Sequence, residues 1–310
     1  MPKVAVIIPT YNRAALVIEA IRSVLSQTFT DFEILVIDDG SSDGTAAAVQ
    51  QQGAPVRYLW QPNSRQGAAR NRGLQQTDAE FASFLDSDDL WLPEKLSRDL
   101  GALESEPGAA LIYSNVEYIS AAGVPVDYRR DRSPVGKVLP ALSRHNFIAA
   151  STVTVRRRPF LDAGGFSEDP DLSGSEDWEA WMRLATAHEF TYCSRVNTRI
   201  RVQGERMMGD PKNMQRAMLA ALAAVESNAE IGRQLGAQML AMRASMYHHI
   251  AMNYCAAEQE RCGRHWLGRT LTTHWPIAAT PRFLGTCVRA FVGRRKLVRL
   301  RSIFRRRSLG

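Results

Sequence analysis

The chain has 310 residues, 45% of them hydrophobic and 23% charged, which suits one large α/β domain or a domain with an appendage and excludes wholesale disorder. No run approaches the roughly 20 uninterrupted apolar residues of a membrane-spanning helix. The net charge of +7 is uneven: Arg261 to Gly310 holds thirteen of the 39 Lys and Arg and none of the 32 Asp and Glu, so the remainder carries −6.

In chain order, Lys3 to Pro9 reads as a first strand; its apolar run, Val4 to Ile8, is too short and too early for a signal peptide. Thr10, Tyr11 and Asn12 form a turn and cap. From Arg13 to Gln27, Val17, Ala20, Ile21, Val24 and Leu25 follow the helical period. Glu33 to Ile37 is a second strand ending in Asp38 and Asp39. Thr45 to Gln52 (helix), Val56 to Trp60 (strand), Gly67 to Gln76 (helix) and Phe81 to Leu85 (strand) continue the alternation. Such alternation predicts a doubly wound, mostly parallel sheet with helices on both faces and a ligand crevice beyond the carboxyl ends of its strands.

The strand Phe81 to Leu85 ends in Asp86, Asp88 and Asp89. Three carboxylates within four residues repel one another, so water, hydrogen-bond donors or a cation must offset them. Two readings stand: a site for a hard divalent ion, or a solvated acidic turn capping the helix that starts near Pro93.

After that helix come a strand over Ala109 to Ile119, a polar loop from Ala121 to Val138, a strand-like stretch Ser151 to Val155, and the acidic loop Ser167 to Ser175. Glu176 and Asp177 open a helix running to about Ala187, where acids favour the N-terminus on dipole grounds alone. From Pro211 to about Ala257 the sequence predicts one or two long helices broken near Gly232 or Gly236. From Trp266 onward aromatics mix with arginines; contact of the last twenty or so residues with an anionic membrane interface is the favoured reading, beside a helical cap packed on the domain and a flexible solubilising end. Cys193, Cys255, Cys262 and Cys287 show no CxxC pairing and read as reduced core cysteines.

Four strings now fall in one order: VAVIIPTYNRAALVIEAIRSVLSQTFTDFEILVIDDGSSDGT, GAARNRGL, FLDSDDLWLPEKL and GSEDWEAWMRL. Together, over about residues 3 to 205, they resemble the family 2 inverting glycosyltransferases with a GT-A fold. The resemblance implies a nucleotide-sugar domain over 1–205, followed by a C-terminal helical region over 206–310 with a basic amphipathic tail. Pro9, Thr10 and Tyr11 look like the family's nucleobase loop, and Asp39 like the acid that pairs with a uracil edge. Asp38 beside it either shares donor binding or braces the loop. Arg70 is similar to a position near the nucleotide phosphates, with a surface helix arginine as the plain alternative. Asp86 and Asp88 resemble the DxD pair that meets ribose and metal, Mg2+ or Mn2+, with Asp89 a third possible ligand. Glu176 and Asp177 resemble the ED motif, Asp177 as catalytic base and Glu176 orienting the acceptor or capping the helix. Where the family often carries a histidine near the diphosphate, this chain has Gln203, with Arg201 or Arg206 as compensating cations.

The implied activity is inverting transfer from a nucleotide diphosphate sugar, of the UDP kind, to a hydroxyl of a glycan or lipid-linked acceptor in cell-surface polysaccharide or lipopolysaccharide assembly. The implied setting is the cytoplasmic face of a membrane, with an anionic lipid surface as partner of the basic tail and no nucleic acid. A nucleotidyltransferase would need a glycine-rich triphosphate loop after its first strand, and PTYNRAAL is not one. A non-catalytic sugar-nucleotide or polysaccharide-binding module would not need Asp177.

Overall fold

The computed structural model describes residues 1–129, 133–202 and 210–292. The chain divides into two compact units, one of Met1–Leu142 with Asn146–Glu205, the other of Ser143–His145 with Arg206–Gly310.

Among the described residues, the N-terminal unit is built on nine strands in one sheet: β1 (Val4–Thr10), β2 (Phe32–Asp38), β3 (Val56–Trp60), β4 (Phe81–Phe84), β5 (Leu90–Trp91), β6 (Ala109–Ile119), β7 (Pro125–Arg129), β8 (Thr154–Arg156) and β9 (Glu189–Arg201). Its path is β3-β2-β1-β4-β8-β6-β9-β5, with β7 paired to β6. Every residue of β1 is buried, as expected of a strand covered on both faces. The pairings β3-β2, β2-β1 and β1-β4 are parallel, in the order that the alternating elements predict. Beyond β4 the sheet is mixed, with β8 antiparallel to both neighbours and β9 parallel to β6. Register aligns the site: Thr10 lies opposite Asp38, and Ile7 opposite Phe84, so three strand ends open on one edge.

Helix α1 (Ala14–Leu25) buries Val17, Ala20, Ile21 and Val24 against the sheet, and α2 (Thr45–Gln50) follows β2. Helix α3 (Arg65–Gln75) lies close on β1 because Gly73 presents no β-carbon, which would run into Ile7. Helices α4 (Lys95–Ser105), α5 (Leu139–Leu142), α6 (Arg157–Asp162) and α7 (Glu176–Leu184) complete the unit. Lys95 and Asp99, one turn apart on α4, form a fully buried ion pair at 2.8 Å, with Thr154 donating to Asp99 and the Trp91 ring 4.2 Å from the ammonium. Burial pushes the lysine down and the acid up in pKa, so the polar partners around the pair are what keep it charged. Under α7, the rings of Phe84, Phe160, Phe166 and Trp181 pack with centroids 4.9 to 6.5 Å apart.

Two local readings change. The polar segment after β6 contains β7, which pairs antiparallel with β6 and so satisfies its own backbone. Ser151 lies in a 3-10 turn over Ala150–Thr152 ahead of β8, which turns its side chain and carbonyl to other partners.

The C-terminal unit holds α8 (Pro211–Ser227), α9 (Ala229–Leu235), α10 (Gln238–Ala256), α11 (Glu260–Thr273) and α12 (Pro281–Val292), with a 3-10 turn over Trp275–Ala279. The helical run after Pro211 breaks at Asn228, whose side chain caps α9 by accepting from the Glu230 and Ile231 amides, and again at Gly236, where φ is 49°. Cys255 is buried, but Cys262 is exposed, so the reading of all four cysteines as core residues does not hold. Among the described residues, no helix is long and apolar enough to cross a membrane.

Candidate active site

The first strand ends supply one wall. Asp38 is wholly buried: Tyr58 donates its hydroxyl to Oδ2 at 2.6 Å, and the Ser41 amide donates to Oδ1 at 2.8 Å. It is the brace of its loop. Asp39 also accepts from protein, from Gln61 Nε2 (2.7 Å) and the Ser64 amide (2.8 Å) on Oδ1, and from the Arg65 amide (2.9 Å) on Oδ2. Unlike Asp38 it faces a cleft of about 320 Å³, which Pro9, Thr10, exposed Tyr11, Asp86 and Asp88 also line.

In the acidic cluster the three carboxylates take separate roles. Asp86, with a third of its side chain exposed, receives Arg70 Nη2 at 2.6 Å on Oδ1. Asp88 pairs with Arg13 Nη1 at 2.8 Å. The second oxygen of each has no cation partner among the described residues. Asp89 is buried behind them, accepting the Ser151 hydroxyl at 2.6 Å and the Arg201 amide at 2.9 Å. Burial, then the charge of Asp86, holds Asp89 well above the usual carboxylate range; burial also raises Asp88, against the pull of Arg13.

Asp86 and Asp88 thus form a pair of hard oxygen donors on a cleft, and that donor set fits one divalent ion completed by phosphate oxygens and water. Among the described residues no three acidic, histidine or cysteine side chains gather as a metal-holding group, and Asp89 turns its oxygens to Ser151 and the Arg201 amide. Arg201 is a clamp: its guanidinium donates to the Asp88 carbonyl (3.0 Å), the Ala121 carbonyl (2.8 Å) and Glu19 (2.6 Å). Three of its five N–H groups are thereby taken by protein acceptors. Gln203 and Arg206 lie outside the described residues.

A second cleft, of about 230 Å³, is lined by Arg70, Asp86, Asp89, Ser151, Glu176 and Asp177, among others. Asp86 belongs to both clefts. Arg70 on α3 is 1% exposed and sits over the Phe166 ring, and its guanidinium bridges Asp86 and Glu176 Oε1 (2.7 Å). It is a buried cation between two acids 16 and 106 residues away, not a surface helix arginine. Its reach depends on Gly67, one turn earlier, where a β-carbon would overlap the Ser167 carbonyl oxygen. Without that hydrogen-only contact α3 could not lie against the loop before α7.

Glu176 is closed off by Arg70 on one oxygen and the Gly174 amide at 2.6 Å on the other. Asp177 is half-buried at the start of α7, with Trp178 N donating to Oδ1 (2.6 Å) and Asn146 Nδ2 to Oδ2 (3.2 Å). Desolvation, reinforced by the neighbouring Glu176 charge, pushes its pKa up to about 7. A carboxyl poised there exchanges a proton readily near neutrality.

The structure therefore gathers Pro9, Thr10, Tyr11, Asp39, Asp86 and Asp88 on one cleft and Arg70, Asp86, Asp89, Glu176 and Asp177 on the other, while Asp38 stands behind the first. Sequence reasoning missed Arg13, Ser151 and Asn146. Arg13 had a usable signal in its place directly after the TYN turn; Ser151 and Asn146 had none, since their partners are 62 and 31 residues away.

The family model described as Glycosyl transferase family 2 matches residues 5–163. An uncharacterized glycosyltransferase of Rickettsia felis is 32% identical over 206 residues, 65% of this chain and 33% of its own length, so the chain spans about a third of that relative. A Campylobacter jejuni GalNAc(5)-diNAcBac-PP-undecaprenol beta-1,3-glucosyltransferase is 41% identical over 122 residues, 37% of this chain and 38% of its own. Among solved structures, Staphylococcus aureus TarS 1-349 with UDP-GlcNAc is 21% identical with a TM-score of 0.62, covering 87% of this chain and 81% of its own. The mannosyltransferase PcManGT of Pyrobaculum calidifontis, with GDP-Man and Mn2+, is 18% identical with a TM-score of 0.64, covering 96% and 87%. At such identities the structural likeness speaks for the fold alone, which is the GT-A arrangement that the motifs lead one to expect.

Proposed function

The chain belongs to glycosyl transferase family 2, and on that premise we propose that it moves a sugar, with inversion, from a nucleotide diphosphate donor to a hydroxyl of a glycan or lipid-linked acceptor. The observation that carries this reading is the pair of clefts joined at Asp86, with Asp39 on one and Asp177 on the other. A nucleotide laid along the first would bring its sugar to the second.

Asp39 speaks for a uridine or thymidine base. An ionised carboxylate has about four lone-pair sites, and protein donors fill three of them. The remaining site suits the single N3–H of uracil or thymine. The guanine edge, with donors on two nitrogens, asks for both oxygens.

In the transfer, the acceptor oxygen attacks the anomeric carbon from the face opposite the diphosphate, and the carbon–oxygen bond to the diphosphate breaks with its electron pair. Asp177 takes the acceptor proton. A divalent ion on Asp86 and Asp88, Mg2+ or Mn2+, would offset charge on the leaving diphosphate. Arg70 and Glu176 are positioning residues: the guanidinium ties the donor-side acid to the acid beside the base. Family, relatives and the acid-free C-terminal stretch support surface polysaccharide or lipopolysaccharide assembly at the cytoplasmic face of an anionic membrane. The basic tail after Gly293 lies outside the described residues.

The test is calorimetric titration with UDP, dTDP and GDP, each with Mn2+ and with chelator. UDP binding that collapses on chelation, with GDP at least ten-fold weaker, is the expected result. Absence of nucleotide binding with metal present would move the protein to the class of polysaccharide-binding modules.

A further inference from the structure

We propose that the outer face of α12, together with Trp275 ahead of it, docks on an anionic lipid bilayer. The proposal deepens the reading of a membrane-side acceptor and rests on it for its biological sense, but its geometry is independent of the clefts.

Among the described residues after Arg261, the large apolar side chains include a buried set and an exposed one. Trp266, Leu267 and Phe283 are buried in the C-terminal unit. Trp275 is 75% exposed, Leu284 56%, Val288 47% and Phe291 72%. Leu284, Val288 and Phe291 stand at i, i+4 and i+7, so they form one continuous stripe on α12. The helix already satisfies its packing with a different face, through Phe283, Thr286 and Ala290. An amphipathic helix of a soluble unit has use for one apolar face; α12 carries a second, turned to solvent.

Charge selects the occupant. Arg282 and Arg289, seven residues apart, are both exposed and form a row at the edge of the same solvent-facing arc, roughly 100° or more around the helix from the stripe. Arg264 from α11 donates to the Ala290 carbonyl at 2.7 Å and sits over the Phe291 ring. No acid occurs anywhere from Arg261 onward. A second copy of this face, brought up by a two-fold axis, would add its own arginines to an interface edge where this stretch offers no acid to meet them. Acidic headgroups offer the complementary charge, while aliphatic and indole side chains enter the interfacial layer beneath them.

The experiment is co-sedimentation of the full chain, without donor or acceptor, with vesicles of phosphatidylcholine alone and of phosphatidylcholine with about 30% phosphatidylglycerol. The expected result is binding to the anionic vesicles only. A variant with Leu284→Ser, Val288→Ser and Phe291→Ser, all exposed positions, should bind them roughly ten-fold more weakly, because one signal of an apolar-plus-basic pair is gone. Arg282→Ser with Arg289→Ser should weaken binding too, most at low salt. UDP titration of the same variants should match wild type, so failure of the membrane proposal and failure of the enzymatic one read out separately. Equal vesicle binding by the serine variant, equal binding to neutral vesicles, or no binding by the wild type would each overturn the proposal.

Discussion

Two strand ends in this molecule carry adjacent aspartates, and they are finished differently. After β2, Asp38 and Asp39 meet hydroxyl, amide and backbone donors with no cation among their hydrogen-bond partners. After β4, Asp86 and Asp88 each meet an arginine, and Asp89 is buried with its pKa raised. In both clusters one acid is a hidden brace and the rest face the cleft. The first cluster is shaped to accept one more neutral N–H. The second, with acids crowded and only partly neutralised, is shaped to accept positive charge. An acidic string at a strand end is therefore two kinds of equipment, told apart by its partners.

Substitutions can break that contrast, and the largest expected effect lies beyond both clusters, at the proposed base, Asp177. Asp177→Asn should lower kcat by roughly 10²- to 10⁴-fold, with UDP affinity within about two-fold of wild type by calorimetry; retained turnover would remove Asp177 from the mechanism. Asp88→Asn should make nucleotide binding insensitive to chelator and at least about ten-fold weaker, whereas Asp39→Asn should weaken UDP binding yet leave the chelator effect in place. If both behave alike, the two strand ends are not different in kind. Arg70→Lys keeps the charge but loses the two-armed bridge, so kcat should fall by about ten-fold or more with KM for donor less affected.

The pH dependence is a smaller and sharper test. A base at Asp177, as proposed, would work only when ionised, so kcat should rise with pH through a midpoint of about 7. Asn146 donates to the ionised form, so Asn146→Ala should move that midpoint upward and cost roughly two-fold in rate just below it. The sign for stability is opposite: a carboxyl held above its ordinary 3.8 binds its proton more tightly in the folded chain. Its contribution to stability should fall as pH rises from about 3.8 to about 7, and the thermal midpoint of Asp177→Asn should lack that component.

Much of this was readable from the chain because it depends on local period and strand ends. β3 and β6 fall on the residues that their β-branched and aromatic runs predict, and Asp39, Asp86, Asp88 and Asp177 stand at strand or helix ends where any reader would look. The unread part is tertiary. Nothing in DSDD says that its last acid answers to Ser151 and Arg201, or that Glu176 is neutralised by an arginine 106 residues earlier. Lys95 and Asp99 show the same blindness: at i and i+4 they look like a solvated helix pair, yet both are fully buried. Period fixes which face of an element is apolar, but the partner of a polar group is decided by whatever strand lies alongside.

Gly67 has no side chain to offer the clefts, yet it leaves the chain little choice. Since even a methyl group there would occupy the space of the Ser167 carbonyl oxygen, alanine is as unwelcome as tryptophan. In a library carrying every residue at every position, sites on the cleft should show graded tolerance, chemistry by chemistry. At Gly67 the profile should be a single allowed letter, and a cleft swapped in from another protein would have to bring its own pair of matching backbones.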